Sequence, residues 1–197
     1  MNMIAAIVRA YREKNYKLYE HGDYNVNLFG IRNRDAIHSD TFNDKLGVLY
    51  MKDWDWRIII ADGTTDPGID SRTNPVNKQG AAILPCGQYL RAFKLGKHKG
   101  QYNALVQNVP LPLYRDNNKD SKLDFVDLQE PAMCGINFHR ASAVKKSTKV
   151  GNWSAGCQVV ADPNDFNKIM EVINKSAEIY GSQFTYTLFS SDDIHDL

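Results

Sequence analysis

The sequence predicts a mostly β fold with added helices, of the α+β class. Three observations carry this. Short runs rich in branched and aromatic residues recur between turn signals, as in Tyr24–Ile31, Leu46–Met51 and Trp56–Ala61. A long amphipathic stretch lies late in the chain, between Asp162 and Gly181. The strand-like runs do not alternate one for one with helices, which argues against a doubly wound parallel sheet.

In chain order, Ile4, Ile7, Val8 and Tyr11 recur at helical spacing, so residues 3–20 read as an amphipathic helix closed by His21-Gly22-Asp23. The three β runs follow. Residues 62–80 read as loop, with Asp62-Gly63, Asp66-Pro67-Gly68 and Asn74-Pro75 as breakers. Strands are expected around Ala81–Leu95 and Tyr102–Asn108, joined by the turn Gly96-Lys97-His98-Lys99-Gly100. The late helix has the best-marked ends. Asp162 suits the N-cap, Pro163 the first helical position, and Asp165 adds a favourable charge to the first turn. Phe166, Ile169, Met170, Ile173, Ala177 and Tyr180 mark its apolar face, and Gly181 stops it. Phe184–Phe189 alternates and reads as a closing strand, with Ser190–Leu197 as a frayed acidic tail.

The 197 residues suit one domain, 1–197, able to bury roughly 70% of its unfolded surface. A net charge of +1 gives no reason to invoke nucleic acid. No run approaches the roughly 20 apolar residues needed to span a membrane. The apolar start, Met1–Val8, is short and is followed at once by Arg9, Arg12, Glu13 and Lys14, so it does not read as an export signal. Cys86, Cys134 and Cys157 are an odd set and offer no disulfide framework. Cys86 and Cys134 read as small buried residues.

Cys157 differs in its surroundings: Gly151-Asn152-Trp153-Ser154-Ala155-Gly156-Cys157-Gln158. His139 stands 18 positions upstream, within Gly135-Ile136-Asn137-Phe138-His139-Arg140. A thiol among small residues and a histidine are the raw material of a cysteine nucleophile and its base. Small neighbours also free backbone N–H groups, here those of Gly156 and Cys157, to face an oxyanion. One such donor is typically worth about 3 kcal/mol in the transition state. An adjacent imidazolium would favour the thiolate. A buried structural cysteine and a packed histidine account for the same two residues without chemistry.

The segment resembles the signature of the L,D-transpeptidase (YkuD-like) family: a His, a gap of fourteen to seventeen residues, then Ser/Thr-His-Gly-Cys. Fourteen residues separate His139 from Ser154, and Ser154, Gly156 and Cys157 fall in register. Pro85-Cys86-Gly87-Gln88-Tyr89 is similar to the family's Pro-x-Gly-x-aromatic turn. The likeness covers roughly residues 80–190, leaving 1–80 as a divergent N-terminal part. It departs at Ala155, where the family has His, and at Gln158, where an Arg often follows the cysteine.

The resemblance implies a β-sandwich with a long helix after the nucleophile. Cys157 would be the nucleophile and His139 the base, its ring held by the backbone carbonyl of Arg140. The Arg140 side chain would be available to a substrate carboxylate, and Ser154 to the loop or the substrate. The implied partners are peptidoglycan stem peptides, attacked through a thioester. Hydrolysis is expected ahead of cross-linking, with phage-type release or another non-secretory route to the wall. A non-catalytic wall-binding module on the same fold, which Ala155 favours, and an unrelated cysteine acyltransferase or peptidase remain alternatives.

The chemistry needs no cofactor. A separate segment, Asp116–Asp127, places oxygen ligands at loop positions 1, 3, 5, 9 and 12, the spacing of an EF-hand-like Ca2+ loop. Ser121 replaces the usual Gly, Asp127 replaces the usual Glu, and Pro110 and Pro112 argue against an entering helix. A polar hairpin turn accounts for the same residues.

Overall fold

The structure, a computed structural model, describes residues 2–194. Its helices are α1 (Met3–Glu13), α2 (Ile69–Thr73) and α3 (Pro163–Tyr180). Its strands are β1 (Asn27–Arg32), β2 (Asp44–Lys52), β3 (Asp55–Thr64), β4 (Ala81–Ile83), β5 (Gly87–His98), β6 (Tyr102–Gln107), β7 (Leu111–Asp116), β8 (Gln129–Ala132), β9 (Phe138–Arg140), β10 (Gln158–Val160) and β11 (Gln183–Ser190).

The expected mostly β, α+β character is present, but the expected sandwich is not. Eight strands form a closed barrel in the order β1-β11-β5-β6-β9-β10-β3-β2, with β2 pairing back to β1. Closure removes the free edges that a two-sheet sandwich must protect. The pairs β1/β11 and β9/β10 are parallel, and the other barrel pairs are antiparallel. A separate three-stranded sheet, β4-β7-β8, packs against the barrel, and Ala82, Leu84, Leu111 and Leu113 join its main core.

β1 reads Asn-Leu-Phe-Gly-Ile-Arg and is buried throughout, because both of its faces are covered. Leu28 faces the main core with Leu46, Tyr186 and Leu188. Phe29 and Ile31 face the other way and pack with Ile7, Ala10 and Tyr11 of α1. α1 is shorter than the expected 3–20: the chain leaves the helix at Lys14, and Asn15 takes φ 54°. α3 follows its sequence signals closely. The Asp162 carboxylate accepts the Asn164 N–H at 2.8 Å, and Phe166, Ile169 and Ile173 enter the main core.

Gly30 has a defined steric role. A Cβ there would lie 2.2 Å from the Tyr186 hydroxyl. The space lets that hydroxyl donate to Oε1 of Gln158 at 2.6 Å, joining strands on opposite sides of the barrel.

A buried polar cluster lies next to this pair. Arg32 is 1% exposed and ion-pairs with Asp66 at 2.9 Å. It also donates to the Thr65 hydroxyl and carbonyl at 3.1 and 3.2 Å. Asp44 accepts the Thr65 N–H and hydroxyl and the Asn33 N–H at 2.7–2.8 Å. One buried guanidinium thus serves two buried carboxylates.

Three further expectations change. The 62–80 segment contains the end of β3 and the short helix α2. The tail through Ile194 is packed: a helical turn at Ser191–Asp193 carries a capping box, Asp193 ion-pairs with Lys14, and Ile194 is buried. Residues 195–197 lie outside the described residues. Cys86 and Cys134 are exposed rather than buried, since each sits on a segment between strands. No helix among the described residues is long and apolar enough to cross a membrane.

Burial and the neighbouring Asp44 push the Asp66 carboxyl up to about 6, against the opposing pull of Arg32. A raised folded value means that the stability from this group is fully present below its unfolded value of about 3.9 and is lost as pH rises through about 6. The stability of the wild type, compared with Asp66→Asn by chemical denaturation, is therefore expected to fall between pH 4 and 7. A constant difference across that range would contradict the assignment.

Candidate active site

The site is built on the parallel pair β9/β10. Phe138 pairs with Gln158, His139 with Val159, and Arg140 with Val160. One step earlier, the Gln158 N–H donates to the Asn137 carbonyl at 2.8 Å, so Cys157 stands beside Asn137. Phe138 and Val160 turn to the main core. His139 takes the opposite face, as does Val159, and Cys157 packs against the Val159 cluster. The structure thus brings Cys157 and His139 to one face of adjoining strands.

The two side chains do not hydrogen-bond directly. Sγ of Cys157 receives the Asn137 N–H at 3.4 Å and directs its own proton to the Gly135 carbonyl at 3.6 Å. Burial pushes the thiol up, and the Asn137 N–H and the Lys99 charge only partly offset this.

The loop before Cys157 is held by Ser154, which is fully buried. Its hydroxyl donates to the Cys157 carbonyl at 2.9 Å and accepts the Gly156 N–H at 3.1 Å. Its carbonyl accepts the Gly68 N–H at 2.9 Å. Ser154 therefore shapes the loop. Gly156 has φ 129°, and a Cβ there would lie 2.5 Å from the Ala82 carbonyl, so only glycine fits. The neighbouring Ala155 carbonyl accepts the Ala82 N–H at 3.2 Å, tying the loop to β4. The expectation of two oxyanion donors is corrected: Ser154 occupies the Gly156 N–H. The Cys157 N–H has no acceptor among the described residues.

His139 is 3% exposed. Its Nδ1 lies 2.7 Å from the Arg140 carbonyl and 3.2 Å from the Tyr102 hydroxyl, which itself donates to that carbonyl at 3.1 Å. A carbonyl only accepts, so Nδ1 carries the proton and Nε2 keeps its lone pair. The ring stacks on His98 with centroids 3.8 Å apart and 20° between planes. The Asn137 side-chain amide meets Nδ1 of His98 at 3.1 Å.

Burial, then the second imidazole, push His139 down to about 3. His98 is lowered as well, by burial and by Lys99. The resting pair is therefore a neutral thiol and a neutral imidazole, not the ion pair that composition alone suggests. The Arg140 guanidinium lies 3.9 Å from the Tyr102 ring centroid, so the Arg140 side chain braces Tyr102 while its carbonyl orients His139.

Sequence reasoning missed His98, Tyr102 and Asn137. The available signal was the hairpin around Lys99-Gly100: its register pairs His98 with Tyr102 and sets both beside β9.

Cys157 opens onto a cleft of ≈ 390 Å³. Its walls are Ala155, the Cys134–Ile136 segment, residues 75–77 with 80–82, and Arg115 of β7. His139 is not among the residues that line it.

The 116–127 segment lines a second hollow, which shares Arg115 with the Cys157 cleft. It leaves the end of β7 and has no entering helix. The Asp116 carboxylate accepts the Asp124 N–H at 3.3 Å, Asp120 accepts the Lys122 N–H at 2.7 Å, and Asn118 bonds Asp120 and Asp124. No group of three or more His, Cys, Asp or Glu among the described residues is arranged to hold a metal ion.

Comparison of the chain with protein-family models, curated proteins and solved structures finds no match.

Reactivity follows thiolate character and access. In the free protein at pH 7, a small alkylating agent is expected to modify the exposed Cys134 before the half-buried Cys157. The gap should narrow as pH rises past the ordinary thiol value of about 8.5. Peptide mass spectrometry across pH reads the order, and Cys157 reacting first at pH 7 would contradict the neutral-thiol state.

Proposed function

We propose that this protein is a cysteine acyl-transfer enzyme that attacks a peptidoglycan stem-peptide carbonyl through a Cys157 thioester, with water as acceptor. The observation that carries this reading is the fixed tautomer of His139. Nδ1–H is spent on the Arg140 carbonyl, and Nε2 keeps a lone pair on the face that Cys157 shares. Every neutral imidazole has one such nitrogen; here Nε2 has no hydrogen-bond partner among the described residues, which leaves it available as a general base. The substrate class rests on the resemblance of the His139–Cys157 segment to the L,D-transpeptidase signature.

In this mechanism the thiol rotates from the Gly135 carbonyl toward Nε2 of His139. Sγ attacks the carbonyl carbon as Nε2 takes the thiol proton. Burial disfavours a lone imidazolium, so proton transfer accompanies C–S bond formation, and the developing oxyanion supplies the compensating charge. The Cys157 N–H faces that oxyanion. His139 then returns the proton to the leaving amine, and the C–N bond breaks to leave the thioester. In the second half, His139 activates water, which cleaves the C–S bond and restores the thiol. A second stem's amine in place of water gives a cross-link.

Incubation with purified sacculi, followed by mass spectrometry of the muropeptides, tests this. Wild-type protein is expected to shorten stems. Cys157→Ala is expected to give no product, and His139→Ala to slow release by about 10²- to 10⁴-fold. Full activity in Cys157→Ala, or binding to sacculi without product by the wild type, would overturn the proposal.

A further inference from the structure

We infer that Arg115 is the substrate-binding residue of the Cys157 cleft, and that the acyl donor carries a free carboxylate beside the carbonyl under attack. This deepens the proposed function and rests on it.

Arg115 is the one charged side chain among the described residues lining the cleft. The rest of the lining is small, apolar or neutral polar, including Ala155, Ile136, Val76 and Asn77. A cation in such a wall attracts an anion more strongly than it would in open water.

The guanidinium is also available. It makes a single long hydrogen bond, from Nη1 to the Gly80 carbonyl at 3.3 Å. It has no ion pair among the described residues, although Asp116, Asp124 and Asp127 line the adjoining hollow with it. Asp116 and Asp124 are engaged within the loop, Asp116 with the Asp124 N–H and Asp124 with the Asn118 side-chain amide. By contrast the buried Arg72 spends its donors on four carbonyls. Arg115 keeps most of its five donors, in the planar fork that matches a carboxylate.

Its position relative to the nucleophile is fixed by backbone. Arg115 pairs with Ala82 across β7/β4, and the Ala82 N–H bonds the Ala155 carbonyl, two residues before Cys157. Two such steps, each about 4.8 Å, put the Arg115 backbone roughly 10 Å from the cysteine loop. A side chain of arginine length on that strand reaches into the space a substrate residue next to the scissile carbonyl would fill. Cys157 and Arg115 thus stand on two walls of one cleft, tied through Ala82 and Ala155.

The test uses Cys157→Ala protein, which binds without turnover, and a stem tetrapeptide in three forms. One has free carboxylates, one is amidated at the C-terminus, and one is amidated at the side-chain carboxylate of its diamino acid. Calorimetric titration is expected to give the free form an affinity about 10- to 100-fold above one of the amides, the range of a hydrogen bond to a charged partner. The amide that loses affinity identifies which carboxylate is read.

Arg115→Gln, which retains a donor for the Gly80 carbonyl, should abolish the preference, and Arg115→Lys should restore part of it. In the active protein Arg115→Gln should raise KM more than it lowers kcat. A preference that survives Arg115→Gln, equal affinity for the three forms, or no measurable binding of any form would overturn the assignment. Digestion of sacculi by the wild type in those cases leaves the proposed function standing, whereas its absence removes both.

Discussion

Parallel pairing of β9 with β10 is the constraint on which the site depends. Adjacent parallel strands cannot be joined by a tight turn; they need a crossover of a dozen or more residues. Residues 141–157 are that crossover, and they explain why His139 and Cys157 are 18 positions apart yet on one face of adjoining strands. The crossover's last turn is then locked by contacts that tolerate little change. Ser154 bonds both sides of Gly156, and Gly156 passes against the Ala82 carbonyl where no side chain fits. The cysteine is placed by backbone geometry, not by a bond to its histidine.

The same burial that fixes the site sets its charge state. His139 is enclosed by His98, Tyr102 and Arg140, and desolvation outweighs every contact that would favour a cation. Cys157 is held as a thiol for the same reason. A neutral pair costs less to bury than an ion pair, whose desolvation penalty often exceeds its Coulombic gain. Under the proposed function, this arrangement would hold a base in the tautomer it needs and defer charge separation to the reacting state. Arg115, the one charged side chain among the described residues lining the cleft, stands on β7, two backbone steps from the cysteine loop, where the proposed substrate carboxylate would meet it.

Much of the fold was legible in the sequence, and what was missed has a common cause. α3 was readable to its ends because its caps, Asp162 and Gly181, act within a few residues. β1–β3 were readable from composition. Barrel closure was not, because it depends on β1 meeting β11 across more than 150 residues, and no local pattern records that pairing. That Cys157 and His139 share one face of adjoining strands agrees with the motif spacing, but the absence of a direct hydrogen bond between them was not legible there. Nor were His98, Tyr102 and Asn137, since their roles come from hairpin register and stacking. Protonation was misjudged because it follows from tertiary burial. The exposure of Cys86 and Cys134 escaped a residue-type average for similar reasons: their place between strands, not their chemistry, decides it.

The central claim is that His139 is a neutral imidazole with its proton on Nδ1 and a free lone pair on Nε2. Nitrogen-15 NMR of the imidazole rings across pH tests it directly. The account predicts that His139 keeps the Nδ1–H tautomer from pH 7 down to about 4, below the ordinary histidine value of about 6.5. A ring that titrates near 6.5, or one that carries its proton on Nε2, would contradict it.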